Sequence, residues 1–388
     1  MFKKIMVSLL SCVLLVICLL TGCGGENNTP AVSENSDVNF EELVDFVIHA
    51  EEGREFRILQ LSDIQIHDKS TYRIPNVEED NTPLTEEELY EGCFNYITEA
   101  VEKAQPDLII LTGDNIHGEL DDNGFCMLQL VSFMESLEIP WAPVFGNHDN
   151  ESAMGVTWQC QQFEEADHCL FKRGNITGNS NYTIGISQGD KLVKVLYMMD
   201  SNGCGFGYTY SPMPSFGEIN QGEQIKESDG FATDQVEWIE ATSLQMTEAL
   251  GYTPSKFLTM HINIKEYADA LSAKGYMKND RLQKFTIDDP AGIDFGSKFE
   301  LAGGFAASGL WDVLKAQKFD GVFAGHQHLN NYSVMYEGIR LTQGMKTGYF
   351  SYHREGMVGG TLITVENGGT GFSVNHIYVS AYNGPSHA

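Results

Sequence analysis

The sequence predicts an α/β fold of parallel strands joined by helical crossovers and closed by a strand-rich end. Three observations carry that expectation. Between residues 56 and 145, short apolar runs alternate with segments of helical period, as right-handed strand–helix–strand units require. From residue 332 onward, β-like runs follow one another without a helical segment between them. Five apolar runs also stop abruptly in Asp, Asn, Gln or His, and in an open α/β sheet such residues meet beyond the carboxyl ends of the strands.

Taken in order, residues 44–48, the Glu51-Glu52-Gly53 turn and residues 56–61 read as a β-hairpin opening the domain. Residues 85–104 carry Leu89, Phe94, Ile97 and Val101 at helical spacing behind a Thr85-x-x-Glu88 capping pattern, and Pro106 ends that helix. A strand at 108–111, a helix at about 127–137 and a strand at 141–145 continue the alternation. Residues 182–186 and 193–199 read as adjacent strands, followed by a Gly/Tyr/Pro-rich loop at 203–222, a helix at 233–249 and a strand leading to His261. Residues 268–302 are of mixed polarity without clear period and read as an insertion rather than a separate domain. A short helix at 309–316 precedes the 320–324 strand, and β-segments at 332–336, 339–341, 361–365 and 372–378 are expected to close a second sheet. No internal repeat is present.

With 388 residues, 42% hydrophobic and 20% charged, the chain is long enough for one large globular domain or two smaller ones. Its N-terminus has a different character. Lys3 and Lys4 precede an apolar run over 5–20, too short for a comfortable membrane-spanning helix, which closes on Leu20-Thr21-Gly22-Cys23. That ending resembles the bacterial lipobox, which implies cleavage after residue 22, a lipid on Cys23 and an extracytoplasmic protein held at the cell membrane. Residues 23–43, rich in Gly, Asn, Ser, Glu and Pro, then serve as a flexible tether, with the folded domain over 44–388. Cleavage removes two lysines and no acid, taking the formal net charge from −30 to −32. So acidic a chain repels phosphate backbones, and no basic patch offsets it, which excludes nucleic acid as a partner. Cys93, Cys126, Cys160, Cys169 and Cys204 then remain, an odd number at no zinc-site spacing. Buried thiols are the expected fate of most, with Cys160 and Cys169 as candidates for a disulfide.

The five polar endings are Ser62-Asp63-Ile64-Gln65, Thr112-Gly113-Asp114-Asn115, Gly146-Asn147-His148-Asp149, Met260-His261 and Gly325-His326-Gln327-His328. Two His at i and i+2 point the same way only on extended backbone, and Gly325 permits a sharp turn before them. Carboxylates, amide oxygens and imidazoles from several strands are the donor types that first-row divalent ions take. In this order the motifs resemble the calcineurin-like metallophosphoesterase superfamily over most of the chain after about residue 44. Met199-Asp200-Ser201-Asn202 and the stretch from His261 to Tyr267 bring it nearest the purple-acid-phosphatase-like branch.

The resemblance implies a four-layer sandwich, two mixed β-sheets face to face with helices outside. It implies two divalent metal ions (Mn, Fe or Zn), one taken by Asp63, Gln65, Asp114 and His328, the other by Asp114, Asn147, His261 and His326. Asp114 is the shared ligand, and a deprotonated water bridging the ions attacks phosphorus in a small phosphate-ester substrate. His148 protonates the leaving alkoxide or stabilises charge there, and Asp149 orients it. The usual first motif is Asp-x-His, so Gln65 is a departure that weakens the first metal, and His67 is the alternative donor on the same face. Purple acid phosphatases carry a Tyr ligand three residues after the shared Asp. Here that residue is His117, on the substrate side or solvated in its loop, and no tyrosinate–iron colour is expected. Asn150, Glu151 and the 203–222 loop fall where substrates are discriminated, with Tyr208, Tyr210 and Phe216 either stacking on a base or sugar or packing the loop. The expectation is thus a membrane-anchored phosphoesterase. A phosphodiesterase on nucleotides or glycerophosphodiesters, and a non-catalytic binding lipoprotein on the same scaffold, are the alternatives.

Overall fold

A computed structural model describes residues 38–66, 86–118, 123–152, 154–202, 230–278, 280–305, 309–348, 351–369 and 371–380. All of these belong to one compact unit, Asp37–Ala388. The expected signal, Cys23, most of the tether, His67, Thr85 and the aromatic residues of the 203–222 loop lie outside the described residues. Among the described residues, no helix is long and apolar enough to cross a membrane.

The strands are β1 (Phe46–Ala50), β2 (Phe56–Leu61), β3 (Leu108–Thr112), β4 (Trp141–Val144), β5 (Asn181–Gln188), β6 (Lys191–Met199) and β7 (Ser255–Thr259). After these come β8 (Phe285–Thr286), β9 (Ser297–Lys298), β10 (Phe319–Ala324), β11 (Ser333–Tyr336), β12 (Ile339–Gln343), β13 (Gly359–Val365) and β14 (Phe372–Tyr378). The α-helices are α1 (Glu86–Ala104), α2 (Phe125–Ser136), α3 (Gly155–Glu164), α4 (Thr233–Leu250), α5 (Glu266–Ala273) and α6 (Leu310–Ala316). A seven-stranded sheet runs β1-β5-β6-β7-β10-β12-β11, a five-stranded sheet runs β14-β13-β2-β3-β4, and β8 and β9 form a small ribbon.

Strands β2, β3 and β4 pair in parallel, as the strand–helix alternation requires, and so do β6, β7, β10 and β12. The five-stranded sheet shares one core with a face of the seven-stranded sheet: Ile58, Ile109 and Val144 lie in the same cluster as Ile184, Met198, Phe257 and Phe323. Helices α1 to α3 add Ile97, Leu130 and Phe163 to that cluster. The other face of the larger sheet packs on α4, α5 and α6 through Val195, Tyr197, Leu258 and Val322 against Ile239, Leu271 and Leu314. Along β6, Leu196 and Met198 enter one core while Val195, Tyr197 and Met199 enter the other, because successive side chains of a strand point to opposite faces. Strands covered on both faces read as unbroken apolar runs. Two mixed sheets with helices outside form the expected four-layer sandwich.

Three local expectations fail. Strands β1 and β2 are not a hairpin: β1 pairs in parallel with β5 in the larger sheet, while β2 lies between β3 and β13 in the smaller one. The strand-rich end also divides, β11 and β12 extending the larger sheet and β13 and β14 the smaller. Cys160 and Cys169 are free thiols, so no disulfide joins them.

Candidate metal centre

The polar ends of β2, β3, β4, β7 and β10 meet at the carboxyl edges of both sheets, the position an open α/β sheet reserves for ligands. The sheets are tied there by the buried Gln60 amide of β2, which donates to Ala324 O of β10 at 3.1 Å, while Gly325 N–H donates to His261 O at 2.9 Å and joins two turns of the larger sheet. Asp63, Gln65, Asp114 and His326 all have positive φ, between 50° and 73°. Four non-glycine residues in a sparsely populated backbone region, gathered at one site, mark a structure organised around that site.

Three glycines allow the approach. A Cβ on Gly146 would sit 2.3 Å from Asp114 N and Oδ1, one on Gly113 would meet the His261 ring at 2.7 Å, and one on Gly325 would strike Ser62 Oγ. Two groups of donors result, each within 4.8 Å of one another: Asp114, His261 and His326, and Asp63, Asp114 and His328. His261 Nε2 is 3.3 Å from Asp114 Oδ1 and 3.2 Å from Asn147 Oδ1, and His328 Nε2 is 3.2 Å from Asp63 Oδ1. Donors about 2.0–2.2 Å from a shared ion lie roughly 3.0–3.5 Å apart, so these separations fit metal coordination. Asp63 Oδ1 is buried and accepts no hydrogen bond, an orphaned anionic oxygen that a cation would satisfy.

The imidazoles are oriented for the task. His261 Nδ1 donates to Thr112 O at 2.8 Å and His328 Nδ1 donates to Tyr352 O at 2.9 Å, so each turns Nε2 inward. Burial opposes ionisation of Asp63, yet His328 holds its carboxyl below the usual range; against the same opposition, His261 and His148 hold Asp114 well below it. Burial pushes His326 down to about 3 and lowers His328. Anionic carboxylates and neutral imidazoles are the forms that bind metal. His261 differs: burial works against its charge, but Asp114 beside it raises it to about 9, a proton filling the gap a cation would fill.

His148 stands at the rim, one-quarter exposed, with its backbone N–H donating to Asp114 Oδ1 at 2.8 Å. Its ring is oriented by Glu151, not by Asp149: Nδ1 lies 2.7 Å from Glu151 Oε2 across the Asp149–Glu151 3-10 turn. Asp149 instead accepts from Ile116 N, Gly146 N and Asn115 Nδ2, stitching the β3 and β4 loops together. Against the burial that opposes it, Asp114 and Glu151 raise His148 to about 9. His117 sets its ring edge-on to His148, centroids 4.4 Å apart, and joins His148 and Glu151 in a third donor group.

Gln65 reaches the site but faces the wrong way for a ligand. Its Nε2 donates to Asp114 Oδ2 at 3.0 Å, and its Oε1 accepts from Lys346 Nζ at 3.0 Å. Sequence reasoning missed Lys346 and also Tyr352, whose ring stacks on His328 at 4.2 Å. Neither carries a motif: they lie beyond β12 and come near the centre only through tertiary pairing.

A two-sheet α/β scaffold with a buried carboxylate shared by two donor groups at its strand ends makes a candidate metal-binding centre. Residues 56–330 match the model of the calcineurin-like phosphoesterase family, and the chain belongs to that family. Relatives include "Probable inactive purple acid phosphatase 14" of Arabidopsis thaliana, 26% identical over 339 residues, covering 79% of this chain and 73% of that one. Another, "Probable inactive purple acid phosphatase 29" of the same plant, is 26% identical over 328 residues, covering 78% and 74%. Among solved structures, a dimetal phosphatase from Danio rerio aligns with a TM-score of 0.43 at 11% identity, covering 82% of this chain and 98% of that chain.

Proposed function

We propose that the protein is a metal-dependent phosphoesterase, tethered to the outer face of the cell membrane through Cys23, that hydrolyses small phosphate esters. The carrying observation is Asp114, a buried carboxylate common to both donor groups and bonded directly to the loop that bears His148. Asp63, Asp114 and His328 would hold one divalent ion, and Asp114, Asn147, His261 and His326 the other. When bound, the ions would supply an acidified water as nucleophile and positive charge for the phosphoryl oxygens. The rest of the work falls to the protein. His148 would give its proton to the leaving alkoxide, and Glu151, 2.7 Å from Nδ1, holds the ring in the orientation to do so. The Lys3-Lys4 start, the apolar run and Leu20-Thr21-Gly22-Cys23 support the anchor.

A second reading, a binding protein that has kept the scaffold without turnover, is favoured by the orientation of Gln65 and by the "inactive" names of the plant relatives. Initial rates on p-nitrophenyl phosphate and bis-p-nitrophenyl phosphate, with Mn, Fe or Zn restored to stripped protein, separate these readings. Metal-dependent turnover favouring the monoester supports the proposal, and a preference for the diester moves the substrate class to phosphodiesters. Bound metal with no turnover of either ester overturns the proposal in favour of the binding protein.

A further inference from the structure

We propose that Lys346 makes the two metal positions unequal: by holding the Gln65 amide oxygen away from the centre, it leaves one ion firmly bound and the other readily exchanged. This rests on the metal-binding reading above and adds to it a residue that no motif of the sequence marks.

Lys346 is buried, 1% exposed. Its ammonium donates to Asp63 O at 2.7 Å and to Gln65 Oε1 at 3.0 Å. An ammonium has donors and no acceptor, so the only amide group it tolerates at that distance is the oxygen. The Gln65 side chain is thereby fixed with Nε2 toward Asp114 Oδ2. An amide can coordinate a metal only through its oxygen, so in this orientation Gln65 offers the first position nothing. That position retains three protein donors, on Asp63, Asp114 and His328, whereas the second has four, on Asp114, Asn147, His261 and His326.

The arrangement is built in rather than a swing of a loose side chain. The backbone of Lys346 bridges in parallel to Ser62, its carbonyl accepts from Gly359 N at 2.9 Å, and Thr347 N donates to Ser62 O at 2.7 Å. Gly348 then passes so close to the Asp63–Ile64 backbone that a Cβ would strike Ile64 O. The segment is thus laid along the turn bearing Asp63 and Gln65, and the ammonium is buried against both. Its charge also counts. The carboxylates of the first position, Asp63 and Asp114, already face a fixed cation, which lowers the net negative charge available to a divalent ion there.

The test is metal stoichiometry, read independently of catalysis. The full-length protein is loaded with Zn2+ or Mn2+, desalted and analysed by elemental mass spectrometry, and the stripped protein is titrated with the same ion by calorimetry. Wild type is expected to retain one ion per chain and to titrate with two affinities differing by about 10–100-fold. Lys346→Met frees the amide to turn, and Gln65→His with Lys346→Met supplies the missing imidazole; each is expected to tighten the weaker ion and raise retention toward two. Circular dichroism and thermal melting establish that the variants fold, and the wild-type titration stands without them. Two ions of equal affinity in wild type would overturn the inference while leaving the metal reading intact. So would folded variants with unchanged stoichiometry. Retention of no ion by wild type would defeat the metal reading itself.

Discussion

Gly146→Ala should empty the centre without unfolding the protein. The new Cβ would lie 2.3 Å from Asp114 N and 2.3 Å from Asp114 Oδ1, whereas real Cβ contacts essentially never fall below 3.0 Å. Relief therefore needs a displacement of about 0.7 Å, and the obstacle includes backbone, which cannot rotate aside. Metal donors tolerate about 0.2 Å of error, so the shift exceeds the tolerance roughly threefold and falls on the shared ligand. Overpacking of this kind costs about 1–3 kcal/mol, a loss a domain of this size survives. Gly251→Ala is the control: Gly251 has φ +73° at the end of α4 with no atom within 4 Å of its Cβ, so that variant is strained but remote. Elemental analysis after desalting, paired with thermal melts, reads both effects. Gly146→Ala should retain under one-tenth of the wild-type metal and Gly251→Ala all of it. A folded Gly146→Ala variant with the wild-type complement would refute the claim that this contact fixes Asp114.

His148→Ala should keep its metal, because its ring is outside the two donor groups that share Asp114, and lose turnover by about 10²–10⁴-fold; equal metal loss would contradict the proton-donor role. Lys194 is fully buried, with its ammonium 2.9 Å from Asp320, which is one-third exposed. Asp320→Ala strands that charge and should cost roughly 3 kcal/mol in urea denaturation, with Lys194→Met in the same chain restoring most of it; if the double variant is no more stable than the single, the stranded charge is not the cause. Burial pushes His376 down to about 4, against about 6.5 in an unfolded chain. Above pH 6.5 the ring is neutral in both states. As pH falls from about 6.5 to 4 the unfolded chain takes a proton the folded one refuses, so stability is lost through that window. Allowing for its partial exposure, the loss is on the order of 2 kcal/mol. His376→Gln should remove that part of the slope between pH 7 and 4.5, and identical slopes would rule it out.

The strand ends were legible because an apolar run that stops in Asp, Asn or His is a local pattern, and five such patterns in order point to one edge of a sheet. Pairing partners were not. β1 and β2 look like a hairpin because periodicity is blind to which sheet a strand joins; the signal was burial, with Ile58–Leu61 wholly covered and Phe46–Ala50 only half so. Adjacency also misled at His148, since the 3-10 turn carries Asp149 away and brings Glu151, three residues on, under the ring. Lys346 and Gln65 lie 281 residues apart, and nothing in either stretch announces the other. Gln65 was visible as a departure, but what its oxygen faces could be read only from the folded chain.

The most direct test of the account is p-nitrophenyl phosphate hydrolysis by metal-loaded wild type beside metal-treated Asp114→Ala. Removing the one carboxylate common to both donor groups should abolish ion retention and turnover together. Turnover by Asp114→Ala at the wild-type rate would place the chemistry elsewhere and contradict the account.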